Sequence, residues 1–158
     1  QRNDAFHFSR LGTYLERADN TARLFRYHLE AFAAPDQTGR PSYYAWAALL
    51  RSLSAFEAYR DSYRDSLSVD HIGELLVLRE DLPRSLHACF AEINDTLAQI
   101  QGEQAREVRR LVAEGYARLR FGSWHDDFAA DPVAMLDQLI IDFAIIGEAI
   151  AQAYWAEN

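Results

Sequence analysis

Apolar residues recur at intervals of three and four between Asp4 and Phe32, at Leu11, Tyr14, Leu15, Ala18, Ala22, Phe25 and Leu29, the spacing of one helix face. The pattern predicts a first long helix. Pro35 to Ser42 then gathers Pro, Asp, Thr and Gly and reads as a surface loop, with Ser42 placed to cap the next helix. That second helix is expected from about Tyr43 to Tyr63, with Trp46, Leu49, Leu50, Leu53 and Phe56 as its stripe. Ser68 is placed to cap a short third helix through Arg79, and Asp81 followed by Pro83 marks a fourth that continues to about Ile100, ended by Gly102. Val108, Leu111, Val112, Gly115 and Leu119 give a fifth helix its apolar face. Asp131-Pro132 opens a sixth that runs nearly to Trp155; apolar on most sides, it is expected to be the central, covered helix of the bundle. Strand signals are missing, with no Asn-Gly or Asp-Gly hairpin and no sustained alternation of β-branched residues. The fold class is therefore all-α, a bundle of about six helices forming one domain over residues 1–158.

On the first helix the charges fall on the two flanks of the apolar stripe. Glu16, Asp19, Arg23 and Arg26 share one flank, and Arg10, Arg17 and Thr21 share the other. The plain interpretation is a set of exposed pairs such as Asp19 with Arg23, each contributing about 0.2–0.5 kcal/mol. The second helix asks more of its charges, because Glu57 lies near the middle of the stripe made by Trp46, Leu50 and Leu53. A carboxylate buried there requires a partner, and Arg60, Arg64 or an arginine of the first helix is expected to supply it. Asp142 raises the same question inside the last helix.

Composition narrows the chemistry. A hydrophobic content of 49 % supports a buried core, and 24 acidic against 16 basic residues give a net charge of −8, which repels nucleic acid and anionic membrane surfaces. The longest apolar run, Leu139 to Gly147, is interrupted by Asp142 and too short to span a bilayer. All 16 basic residues are arginine, so a Schiff base, a Walker lysine and a lysine general base are excluded, while two-point recognition of carboxylate or phosphate is favoured. A lone Cys89 and the absence of a leader point to a reducing, cytoplasmic setting. His7, His28, His71, His87 and His125 form neither HExxH nor the paired Glu-x-x-His of a di-iron bundle, and no GxSxG, P-loop or GxGxxG occurs. Neither a metal nor a cofactor is expected. His125-Asp126-Asp127 is an ordinary acidic loop, and Arg106, Arg109, Arg110, Arg118 and Arg120, interleaved with Glu103, Glu107 and Glu114, form a solvated face.

At the first two helices the sequence resembles the bacterial alpha-E domain, an alpha-helical domain with a Glu-Arg motif. The resemblance is carried by Ala5-Phe6-His7-Phe8, Arg10-Leu11-Gly12 and the run from Tyr14-Leu15-Glu16-Arg17 through Asp19 to Arg23-Leu24. Tyr43-Tyr44 with Trp46, Leu50-Arg51-Ser52, Phe56-Glu57 and Tyr59-Arg60 are similar to its second block, and Glu74-Leu75-Leu76, Leu78-Arg79 and Leu82-Pro83-Arg84 to its third. The likeness runs from about Asp4 to Cys89 and fades after Ile100. Family members are longer, with an N-terminal half that carries its own Glu-Arg helix, so the resemblance implies the C-terminal half of such a protein. It further implies a helical accessory of a peptide-ligating or peptide-modifying system, with an ATP-grasp type ligase and a transglutaminase-like protease as partners. Glu16 and Arg17 carry over as the motif, with Arg10, Asp19, Arg23, Glu57 and Arg84 as companions. The rival expectation is an enzyme or binding protein in which Arg10, Arg17, Arg23 and Glu57 line a pocket for an anionic peptide or phosphorylated ligand. Association with further copies of the same chain stays open.

Overall fold

A computed structural model describes residues 2–32, 34, 42–64, 67–100 and 102–156, so most of the loop expected at 35–42 lies outside the described residues. The first pattern folds as α1 (Arg2–Phe32), and its stripe of Leu11, Ala18, Ala22, Phe25 and Leu29 is buried as the spacing requires. Four long helices run up and down in turn: α1, α5 (Leu86–Ala98), α6 (Gln104–Phe121) and α7 (Pro132–Ala156). Each packs on the next and α7 returns against α1, closing the ring. The antiparallel sense is fixed by side-chain contacts, Arg10 reaching Glu92 while Thr21 reaches Arg84, and Arg26 reaching Asp137. The chain is all-α, with no strand among the described residues.

The expected second helix is two helices, α2 (Tyr43–Ser52) and α3 (Phe56–Ser62). Leu53 and Ala55 are both fully buried. Two residues apart on one helix they would point about 200° from each other, so a straight helix has to expose one of them. The chain breaks instead at Ser54, whose φ of 53° is left-handed, and the break is closed by the Ala55 amide donating to the Leu50 carbonyl at 2.7 Å. Tyr59 is thereby turned inward, where its hydroxyl accepts from the Ser68 amide at 2.9 Å.

Ser68 caps α4 (Val69–Gly73) as expected, its hydroxyl accepting from the His71 amide. The helix then widens into a π-turn, Glu74–Leu78, in which Leu75, Leu76 and Val77 are all fully buried. The fourth expected helix starts later than Asp81-Pro83. Ser85 is its cap, accepting from the Ala88 amide at 3.0 Å while donating to the Arg79 carbonyl, and α5 begins at Leu86. Gly102 follows α5 with a φ of +126°, a conformation suited to glycine, and Arg109 clamps the turn by donating to the carbonyls of Ile100 and Gly102. Asp131 caps α7 through the Ala134 amide.

Two features depart from expectation toward the C-terminus. A second π-turn, Trp124–Phe128, precedes α7; the Trp124 indole donates to Asp70 at 3.1 Å and its ring lies on Gly73 and 6.1 Å from Phe25. The central helix is α1, which packs against α2, α5 and α7, and α7 closes the ring with one side outward, leaving Ile141 and Ile145 about half exposed. The apolar character of α7 therefore exceeds what its neighbours cover.

A Cβ at position 73 would sit 2.2 Å from the Trp124 ring. Gly73→Ala is expected to cost about 1–3 kcal/mol in urea denaturation, because the indole has to leave both Phe25 and Asp70 to make room.

Candidate functional site

The flank of α1 that carries Arg10, Tyr14, Arg17 and Thr21, at spacings of four, three and four, lies against α5. Arg10 donates to Glu92 at 2.8 Å, and Thr21, buried, donates to the Arg84 carbonyl at 2.8 Å just ahead of the α5 cap. Between these two ties stands the Tyr14 ring, with the Arg10 guanidinium 5.6 Å and the Arg17 guanidinium 5.3 Å from its centroid. Arg17 and Tyr14 line a cleft of about 350 Å3 together with Glu80, Asp81, Pro83, Ala88, Ala91 and Glu92. Two of its carboxylates are already engaged, Glu92 by Arg10 and Asp81 by Arg79 at 2.5 Å. Half-buried Arg17 and exposed Glu80 have no ion-pair partner among the described residues.

The other expected residues divide between solvent and structure. Glu16 is exposed. Asp19 accepts from Arg23 at 2.8 Å in the solvated i,i+4 pair the spacing anticipated, an interaction contributing about 0.3–0.5 kcal/mol. Arg84 is half-buried and contributes its backbone carbonyl to the Thr21 tie. Glu57 requires correction. The break at Ser54 resets the register of α3, so Glu57 leaves the stripe and its side chain is 79 % exposed, 3.8 Å from Arg60. No buried network forms around it, and Arg64 is likewise exposed. Asp142 is half-buried on the side of α7 that faces α6, where it accepts from Gln138 at 3.0 Å and lies 3.6 Å from Arg118.

The ion pairs between helices escaped the sequence, Arg10–Glu92 and Arg118–Asp142 among them, and a third ties α1 to α7. Arg26 donates to Asp137 on α7 and to Glu30 on its own helix, so the second flank of α1 is tied to α7 as the first is tied to α5. The detectable signal was Asp137 itself, an acid in the first turns of a mostly apolar helix. Beyond α1, a groove of about 620 Å3 between α6 and α7 is lined by Phe90, Leu111, Gly115, Arg118, Asp142 and Ile145, with exposed Phe121 near one end.

A family model described as a predicted alpha-helical domain with a conserved ER motif, Alpha-E, matches residues 1–155. The chain belongs to the Alpha-E family. The match extends well past Ile100, where the resemblance was expected to fade, and takes in α6 and nearly all of α7. No curated protein and no solved structure is significantly similar to the chain. Its sequence has one Glu-Arg dipeptide, Glu16-Arg17, and in this Alpha-E chain the two side chains have different surroundings: Glu16 meets solvent, Arg17 the cleft. No helix among the described residues is long and apolar enough to cross a membrane.

Cys89 lies beneath the same flank, buried, with its thiol 3.7 Å from the Pro83 carbonyl. Burial pushes the thiol up from 9.0 to about 11, while the positive charges of Arg17 and Arg84 act in the opposite direction without restoring it. His87, two residues away, binds the Leu78 carbonyl through Nδ1, so the pair forms no nucleophile and base.

Thr21→Val is expected to cost about 1–3 kcal/mol, since the Arg84 carbonyl loses its buried donor. Arg23→Ala is expected to stay within about 0.5 kcal/mol, and urea denaturation of the two variants checks the contrast. Because folding raises the thiol, its contribution to stability is complete below the ordinary value of 9.0 and fades as pH climbs through about 11. Accordingly Cys89 should resist a disulfide reagent at about pH 8 in the native protein and react with one equivalent once unfolded; fast native labelling would contradict its placement.

Proposed function

We propose that this Alpha-E chain is a non-catalytic helical partner in a cytoplasmic peptide-ligating or peptide-modifying system, acting beside an ATP-grasp type ligase and a transglutaminase-like protein. One observation carries the proposal. The charges on α1 are largely matched within the bundle, Arg10 with Glu92, Arg23 with Asp19, and Arg26 with Asp137 and Glu30, while large apolar side chains stand exposed along α6 and α7. Catalysis of acid-base type draws on groups that converge with strongly shifted titration, whereas docking draws on matched charges beside exposed apolar surface. Phe121, Ile141 and Ile145, exposed to 80 %, 53 % and 49 %, are the side chains assigned to the partner. The kind of partner is what the family resemblance implies. Arg17, without an ion-pair partner in its cleft, supports a second reading of this flank as a site for an anionic peptide or phosphorylated ligand.

Affinity capture from the native cells, with bound proteins identified by mass spectrometry, tests the docking proposal. Wild type is expected to recover an ATP-grasp type ligase, Ile145→Asp to lose it, and Arg17→Ala to retain it if Arg17 serves a ligand rather than the contact. Failure of the folded wild-type protein to recover any such ligase would sink the proposal.

A further inference from the structure

The cleft over α5 holds two charges that the fold does not neutralise, and they are of opposite sign. Of the four ionised groups on its walls, Glu92 is paired with Arg10 and Asp81 with Arg79. Arg17 and Glu80 remain, and they do not pair with each other. Arg17 is half-buried and has its guanidinium against the Tyr14 ring, an arrangement that limits the side chain's freedom and presents its donors in a fixed fork. Pro83, Ala88 and Ala91 complete the lining with small apolar surface. At about 350 Å3 the volume is at the low end of small-molecule sites, which run from about 300 to 1,000 Å3.

A phosphate or a bare carboxylate would gain from Arg17 but would be repelled by Glu80 and leave it unpaired, the charges of Asp81 and Glu92 being offset by Arg79 and Arg10. A simple cation would meet the acids and be repelled by Arg17. The geometry points to a small zwitterion, an amino acid or short peptide whose carboxylate is held by Arg17 and whose ammonium group is held by Glu80. The assignment rests on the second reading of the α1 flank as a ligand site and narrows it, replacing an anionic ligand by one that carries both charges; it is independent of which protein docks on α6 and α7.

Three probes separate these possibilities in isothermal titration of the full chain: L-alanyl-L-alanine, its N-acetyl derivative, which keeps only the carboxylate, and its C-terminal amide, which keeps only the ammonium. The free dipeptide is expected to bind saturably, with each blocked form weaker by about tenfold or more. Arg17→Gln is expected to abolish binding of the dipeptide, and Glu80→Gln to lower it to the level of the acetylated form while leaving that form unchanged. Both substitutions are at surface-accessible positions, and circular dichroism of each variant verifies the fold. Equal binding of the free and acetylated dipeptides, indifferent to Glu80→Gln, would overturn the zwitterion and leave an anion site. Absence of saturable binding by all three would overturn both.

Discussion

α1 has to bury one continuous stripe along most of its length, and the rest of the bundle is arranged to meet that need. A 31-residue helix is about 46 Å long, more than any single neighbour here can cover, so α5 lies along one flank and α7 along the other. Each buried Leu or Phe of the stripe contributes about 1.5–3 kcal/mol, far more than an exposed ion pair. The polar ties therefore set orientation and stagger rather than strength. Thr21 on the Arg84 carbonyl and Arg10 on Glu92 fix how far α5 slides along α1, and Arg26 on Asp137 does the same for α7. Arg17 stands within this arrangement yet takes no part in it, which is why its cleft, and not the pairs around it, is the place to look for a ligand.

The same competition between burial and geometry explains α2 and α3. A helical run that places Leu53 and Ala55 two residues apart cannot hide both, and the energy of hiding them exceeds the cost of one left-handed serine. Once the chain turns at Ser54, everything after it is read in a new register. Tyr59 goes in and Glu57 comes out.

Helix faces were legible in the sequence wherever one period held over several turns, as in α1 and α6, because periodicity is a local property that packing does not need to alter. Caps such as Ser68 and Asp131 were legible for the same reason. The false start at Asp81-Pro83 had the right residues for a helix opening, but Ser85 reaches both the Ala88 amide and the Arg79 carbonyl, and the longer-range bond decided where α5 begins. Glu57 was misplaced by carrying one register through a break that only tertiary burial imposes. The Arg26–Asp137 pair spans 111 positions, and no pattern of spacing says which helices become neighbours. For the candidate site the motif flank was identifiable, whereas the opposing wall from Glu80 to Pro83 came from a turn whose placement depends on the π-turn before it.

The Trp124 indole is held by three residues from two helices: Gly73 beneath it and Asp70 at its nitrogen, both on α4, and Phe25 of α1 beside it. Such a wedge couples positions that have no other reason to change together. A side chain larger than glycine at position 73 would find room only beside a smaller residue at 124, and the Asp70 carboxylate has its indole donor only while a tryptophan stands there. Asp70, Gly73 and Trp124 therefore work as one fastening between α4 and the turn that precedes α7, and a change at any one of them is felt by the other two.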